Sequence, residues 1–260
     1  MIQVTPTLRT KSGQPLHPVG IGTWGYGEYP TFSPGTESEV SAIKYAISLG
    51  QNHIDTAEMY ARGGSEAVVG QAIKSTHRED VFIASKLWKD HVARATVRPA
   101  VEAMLKRLGT DYIDMLYIHA PWFDAPWQEA IPQICELIDE GMVRYLGVSN
   151  FNAERLQEAL RITRHPIAAN QMHFSFLHQQ EVTPELRQLC AKNGILIIAY
   201  MPLEKGEIFK STLVASMVER HGGTAARFAL TWALEQQTVP IAKALRKEHI
   251  EQNAAVAYLK

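Results

Sequence analysis

Asp55, Tyr60, Lys86 and His119 are residue types that move protons, and each stands at or just past the end of a short apolar run. The run Asn52-His53-Ile54 leads into Asp55-Thr56-Ala57, with Tyr60 three residues on. Val81-Phe82-Ile83-Ala84-Ser85 leads into Lys86, and Ile113-Asp114-Met115-Leu116-Tyr117-Ile118 into His119. A tyrosine with a pKa of about 10 is a weak acid at neutral pH. A neighbouring ammonium favours its anion, and a carboxylate beside the lysine holds that ammonium in place. A histidine can donate a hydrogen bond to a substrate oxygen. Together the four would protonate a carbonyl oxygen while another group attacks its carbon. Taken singly they have plainer readings: an Asp55–Lys86 salt bridge, a surface tyrosine and a capped histidine. Their common position at strand ends favours the chemical reading, because parallel α/β barrels collect their chemistry there.

The later run ends look suited to holding a hydride carrier. Ser149-Asn150 and Gln171 offer hydroxyl and amide groups that fit a carboxamide, and Tyr200 offers a ring that stacks on a flat heterocycle. Ser149-Asn150 reads equally as an N-cap for the helix that follows, and Tyr200 as rim packing. Lys243-Ala244-Leu245-Arg246-Lys247-Glu248-His249 places three fixed cations and a histidine at a helix start, where anions are favoured. A solvated charge run is the commoner meaning of such a stretch.

Periodicity supplies the elements that would position these residues. Strands are expected at 19–22, 52–55, 81–86, 112–118, 143–148, 167–171, 195–199 and 238–241. Helices are expected at 37–49, 65–74, 94–107, 126–140, 152–162, 183–193, 224–236 and 247–258, with Ser65 and Thr224 as caps. Eight strand–helix alternations predict an α/β protein with a parallel sheet. Within this length they predict a closed (β/α)8 TIM barrel, a single domain over residues 1–260. Residues 2–9 and 14–18, joined through Lys11-Ser12-Gly13, are expected to form a hairpin across the barrel floor. The longest irregular stretches, 23–36 and 200–211, both follow strands and fall on the expected active face.

The composition bounds the rest. An apolar fraction of 46% allows a sizeable core, and a net charge of −1 gives no bulk attraction to nucleic acid or membrane. Cys135 and Cys190 fall in helical stretches and read as buried free thiols. No signal, lipidation or membrane-spanning pattern is visible, so a cytoplasmic protein is expected. The ten histidines show no H-x-H or H-x-x-x-H spacing at a strand end, so no metal ligand cluster is expected.

Taken in order, several motifs make the chain resemble the aldo-keto reductase family over nearly its whole length. They are Gly22-Thr23-Trp24, Asp55-Thr56-Ala57-Glu58-Met59-Tyr60, Gly64-Ser65-Glu66, Ser85-Lys86-Leu87-Trp88, Leu116-Tyr117-Ile118-His119, Gly147-Val148-Ser149-Asn150-Phe151, Asn170-Gln171 and Ile241-Ala242-Lys243. The resemblance implies that Asp55, Tyr60, Lys86 and His119 form a catalytic tetrad with Tyr60 as general acid. It implies that Ser149, Asn150 and Gln171 hold a nicotinamide carboxamide, that Tyr200 stacks on the ring, and that Thr23, Trp24 and Leu203 lie beside the cofactor. Lys243 and His249 would meet the adenosine 2′-phosphate, with Arg246 or Lys247 as compensating cations on the cofactor, and Asn253 would lie near the adenine. Trp24, Trp88, Trp122 and Phe123 are the expected pocket walls; Trp127 is a further candidate that reads equally as helix-packing core. The implied activity is reduction of aldehydes or ketones with NADPH, or with NADH as the alternative carrier. The family does this without a Rossmann glycine loop.

The chain departs from the family pattern at the adenosine end. Met201 stands where serine is frequent, Ala242 replaces a usual proline, and Ala244 a frequent serine or threonine. His249 and Gln252 stand where arginine and glutamate are common. The chain also ends soon after its last helix, so a more open pocket is expected. A monomer acting on a small-molecule carbonyl is the expected working form. Three other classes compete: a Schiff-base lyase using Lys86, a slow nicotinamide-binding sensor, and a metal-dependent barrel hydrolase.

Overall fold

The structure, a computed structural model, describes residues 8–28 and 34–256. Eight strands are β1 (Gly20–Gly22), β2 (His53–Asp55), β3 (Phe82–Leu87), β4 (Ile113–Ile118), β5 (Val143–Ser149), β6 (Ile167–His173), β7 (Leu196–Tyr200) and β8 (Thr238–Ala242). They pair in parallel in sequence order, and β8 pairs with β1 to close the barrel. Among the described residues nine α-helices surround it: α1 (Pro34–Ser48), α2 (Gly64–Ile73), α3 (Arg94–Leu108), α4 (Trp127–Asp139), α5 (Ala153–Ile162), α6 (Pro184–Asn193), α7 (Thr212–His221), α8 (Ala225–Glu235) and α9 (Lys247–Ala254).

Strand alternation separates two cores and positions the site. Ile54, Ile83, Leu87, Leu116, Ile118 and Val148 face outward into the layer shared with the helices. Phe82, Ala84, Met115, Tyr117, Ala169 and Ile198 fill the barrel interior. Continuing the inward column, residues two further along β3 and β4 are Lys86 and His119, at the carboxyl ends. Registers pair Asp55 with Ala84, Lys86 with Tyr117, Tyr117 with Gly147, and Ser149 with Gln171. Gly147 has a steric reason to be glycine: a Cβ there would lie 2.5 Å from the Tyr117 ring.

The opposite end is closed by Leu8 and Leu16, both buried against the interior core. An antiparallel bridge between Arg9 and Pro15 forms the base of the expected hairpin. The part of that expectation at 2–7 lies outside the described residues. Nearby, fully buried Asp114 accepts from Arg78 Nη2 at 2.7 Å, Arg144 Nη1 at 2.5 Å and the Ile83 amide at 2.9 Å. Two guanidinium groups thereby offset the cost of burying its charge.

The strands fall within two residues of their sequence-predicted ends, but three local expectations need correction. The N-cap of α2 is Gly63, not Ser65. Ser65 lies in the first turn, and its hydroxyl donates to the Thr23 hydroxyl at 2.7 Å, joining the segments after β1 and β2. Helix α7 was not expected; Ser211 caps it, accepting from the Val214 amide. Leu213, Val214, Met217 and Val218 do stand at helical spacing, but α7 is a second helix between β7 and β8, outside an alternation of one helix per strand. The N-cap of α5 is Asn152, which accepts from Arg155 N, rather than the Ser149-Asn150 pair. Thr224 caps α8 as expected, and Cys135 and Cys190 are free and buried.

Candidate active site

Lys86 is the hub of the barrel mouth. Its ammonium has no solvent exposure and donates to Asp55 Oδ2 and to the Thr56 carbonyl, each at 2.7 Å. It also donates to the Tyr60 hydroxyl at 3.4 Å. Tyr60 reaches this position through a bent turn, in which Ala61, Arg62 and Gly63 take left-handed dihedrals (φ 49, 53 and 88°). Two of these are not glycine, so the turn holds local strain beside the phenol. The His119 ring completes the set, 6.0 Å from the Tyr60 ring and edge-on to it. The four expected tetrad residues therefore converge.

Burial dominates their electrostatics. It raises Tyr60 above the usual phenol range; the adjacent Lys86 charge pulls the other way but only reduces the rise. The ammonium thus does not produce the net lowering that pairing alone suggests, and Tyr60 is protonated at neutral pH. Burial alone would push Lys86 down, yet the Asp55 charge, Tyr60 and their hydrogen bonds hold it above the usual range. Burial, with Lys86, pushes His119 down to about 3, so its imidazole is neutral at pH 7. Its Nδ1 is buried without a protein partner.

The expected carboxamide-binding groups gather at the ends of β5, β6 and β7, bonded to one another. Ser149 Oγ donates to the Gln171 carbonyl at 2.9 Å. Asn150, with φ 62°, donates from Nδ2 to the His119 carbonyl at 3.0 Å. The Tyr200 hydroxyl donates to Asn150 Oδ1 at 2.9 Å. Gln171 Nε2 donates to Asp55 Oδ1 at 2.8 Å, so this amide braces the tetrad carboxylate. Thr23 is fully buried and donates to the Asp55 carbonyl at 2.9 Å, which makes it a tie between strand ends. Leu203 is half-buried and packs against the small clusters under α7 and α8.

The aromatic wall differs from expectation at one residue. Trp88 packs edge-on against His119 at 5.2 Å and against Trp122 at 4.9 Å, forming one side of the mouth. Trp24 is half exposed, with Lys205 Nζ 4.9 Å from its ring centroid. Phe123, however, is 95% exposed and walls nothing. It follows Trp122 on a loop, and the packing of Trp122 against Trp88 leaves its neighbour pointing outward. Trp127 is core, packed on Phe151. Glu58 makes a contact at the mouth that the sequence did not single out. Its buried carboxylate accepts from the Trp88 amide and contacts His91 Nδ1 at 2.8 Å, fixing the start of the wall. Its only sequence signal is its place three residues after Asp55.

Beyond β8, Arg246 caps α9, and its Nη2 lies 2.9 Å from His249 Nε2. Lys243 is exposed, and its Nζ lies 3.0 Å from where a Cβ on Gly25 would stand. Lys243 thus stands beside bare backbone at the end of β8, with Arg246 and His249 following at the start of α9, an arrangement that suits a phosphate-bearing carrier. Asn253 is buried in α9. On the same rim, past β6, the structure groups His173, His178 and Glu181, which the histidine spacing did not reveal.

The family model described as "Aldo/keto reductase family" matches residues 18–260. Methylglyoxal reductase YeaE of Escherichia coli (strain K12) is 34% identical over 248 residues, covering 93% of this chain and 85% of that protein. Glyoxal reductase of Bacillus subtilis (strain 168) is 33% identical over 252 residues, covering 96% and 86%. The crystal structure of an aldo/keto reductase from Klebsiella pneumoniae in complex with NADP and acetate superposes with a TM-score of 0.86 at 34% identity, covering 99% of this chain and 92% of that one. With a family match over most of its length, and with the barrel and strand-end residues described above, this chain belongs to the aldo/keto reductase family.

Proposed function

We propose that this chain reduces the carbonyl group of small aldehydes or ketones to an alcohol with NADPH, using Tyr60 as the proton donor. The observation that carries the reading is the buried Lys86 ammonium, joined to Asp55 at 2.7 Å and to the Tyr60 hydroxyl at 3.4 Å. When bound, the reduced nicotinamide supplies a hydride to the carbonyl carbon. The carbonyl oxygen then gains negative charge, and Tyr60 supplies the proton that turns it into a hydroxyl. Lys86 stabilises the phenolate left behind, and Asp55, braced by Gln171, keeps the ammonium charged and in place. His119, neutral near pH 7, orients the oxygen through a hydrogen bond without competing for its proton.

Ser149, Asn150, Gln171 and Tyr200 would hold the nicotinamide end, exchanging some of their mutual bonds for the carboxamide. Lys243, Arg246 and His249 would hold a phosphate at the adenosine end. Trp24, Trp88 and Trp122 would enclose the substrate. Two relatives are named for reduction of methylglyoxal and glyoxal, which favours small dicarbonyl compounds as the substrate class. We further infer one working domain that acts as a cytoplasmic monomer. A closed barrel leaves no open sheet edge for pairing, and no helix among the described residues is long and apolar enough to cross a membrane.

The test is loss of reduced-nicotinamide absorbance with methylglyoxal, glyoxal and simple aldehydes, run in parallel with NADPH and NADH. Carbonyl-dependent oxidation, faster with NADPH, is expected. Cofactor binding without turnover on any carbonyl would instead favour a sensor. Borohydride trapping of a covalent adduct at Lys86 would favour a lyase.

A further inference from the structure

At the end of β6 the chain turns back on itself. Backbone bonds run both ways between Ser175 and His178, at 2.9 and 3.1 Å. This tight loop lays His178 over His173, with ring centroids 3.7 Å apart and planes 13° apart. Glu181 lies one short turn further on. Each of the three brings a possible ligand atom within 4.8 Å of the other two. Histidines five residues apart would not share a helix face, which is why their spacing hides the cluster.

Two features go beyond proximity. The first is a carboxylate behind one histidine. His173 Nε2 is 2.8 Å from Glu204 Oε1, and Ser175 Oγ donates to the same oxygen at 2.6 Å. Glu204 itself takes a left-handed conformation (φ 48°) to reach this point. A carboxylate on one ring nitrogen fixes the tautomer and leaves Nδ1 of His173 with its lone pair, the arrangement that supports metal-bound histidines. The second is charge. Among the described residues neither Glu204 nor Glu181 is paired with a Lys or Arg; Glu204 meets His173 and the Ser175 hydroxyl, and Glu181 meets His178. A dication held between the two rings would bring positive charge to both carboxylates.

We propose that His173, His178 and Glu181 form a binding site for a divalent transition-metal ion of the zinc type, with Glu204 as the carboxylate behind His173. Mixed imidazole and carboxylate donors suit Zn²⁺ rather than Mg²⁺ or Ca²⁺, which favour oxygen-only shells. His178 Nε2 and Glu181 Oε1 are already 3.1 Å apart. Bonds of about 2.0–2.1 Å in a tetrahedron set neighbouring ligands roughly 3.3 Å apart. Stacked rings aim their in-plane lone pairs side by side, so His178 must turn to bring its nitrogen to the ion. Its side-chain contacts with Gln180 and Glu181 are exposed ones, and the turn leaves the backbone loop intact. A fourth position stays open to water. The site is separate from the tetrad, although His173 also stacks against Tyr200 at 5.3 Å.

The experiment uses the full chain without an affinity tag, stripped with chelator and titrated with Zn²⁺ by calorimetry and with Co²⁺ by visible absorption. The expected result is one ion per chain, with the intense visible bands of a four-coordinate cobalt centre. His178→Ala and Glu181→Gln should abolish those bands. Glu204→Gln should weaken binding by on the order of 10-fold. Melting curves show whether each variant is folded, and Glu181→Gln, at a largely exposed residue, tests the site if His178→Ala is not. Failure of the wild-type chain to hold an ion would overturn the proposal, as would wild-type affinity in folded His178→Ala or Glu181→Gln.

Discussion

Lys86 sets the chemistry of the mouth, because an ammonium with no exposure must be matched by its neighbours. Asp55 and the Thr56 carbonyl match it, and the Tyr60 hydroxyl lies in the direction left open. At the adenosine corner, Lys243 is the cation at the end of β8, and its value depends on the carrier having a 2′-phosphate to meet. Lys243→Met should raise the KM for NADPH by roughly 10-fold, the loss of about 1.4 kcal/mol of a charge-assisted contact, and barely change that for NADH. Steady-state kinetics with both carriers check this; equal losses would show that Lys243 does not read the phosphate. The tetrad was legible in the sequence because each member closes or closely follows an apolar run, and strand alternation carries that position into space. Gln171 was legible as a site residue, but its bond to Asp55 was not, since it joins residues 116 apart in the chain. Phe123 was misread because an aromatic residue on a loop carries no periodic signal of which way it faces.

At the scale of elements, the site depends on strands that fit closely at a few points. β4 and β5 meet where the Tyr117 ring lies against Gly147, and Tyr117 is buried in the interior just below the tetrad. A methyl group at Gly147 would also come 3.0 Å from Met115 Sδ. Gly147→Ala should therefore cost about 1–3 kcal/mol of stability through overpacking. It should also reduce turnover, by shifting the β5 end that carries Ser149 and Asn150. A denaturant titration beside kcat tests both; unchanged stability would mean that Tyr117 has room to move. The sequence showed the eight strands clearly, since a buried parallel strand is a short apolar run bounded by polar residues. Helix α7 was passed over although Leu213, Val214, Met217 and Val218 have helical spacing, because α7 and α8 both lie between β7 and β8 and break the one-helix-per-strand alternation. Ser65 was misjudged for a different reason. A serine near a helix start looks like a cap, and only the structure shows its hydroxyl committed to Thr23.

The barrel as a whole encloses titratable groups, and this gives it an acid limit. Burial pushes His53 down to about 4 and His119 down to about 3. Both folded-state values lie below the unfolded value of about 6.5. The native state therefore binds fewer protons than the unfolded state in this range, and stability rises with pH. The contribution is fully present above about pH 6.5 and is lost as pH falls toward 4 and then 3. His53 lies in the interior, edge-on to Phe82, with Nδ1 unpartnered and no catalytic contact. His53→Leu should flatten the acid side of the stability profile by on the order of 3 kcal/mol at pH 4. Chemical denaturation at several pH values reads this directly; an unchanged acid limb would show that other groups set it. Barrel closure itself was legible from eight alternations within a length that fits one barrel. The interior burial of His53 was legible only in its position two residues before Asp55, on the same face of β2.

If Tyr60 donates the proton to the carbonyl oxygen, removing its hydroxyl must stop the chemistry and spare the cofactor. Tyr60→Phe removes that hydroxyl and keeps the ring. Pre-steady-state mixing of the NADPH-loaded variant with methylglyoxal, beside fluorescence titration of NADPH, separates chemistry from binding. The reduction step is expected to slow by a factor of about 100 or more, with NADPH affinity within a few-fold of wild type. Reduction at the wild-type rate in the folded variant would contradict it.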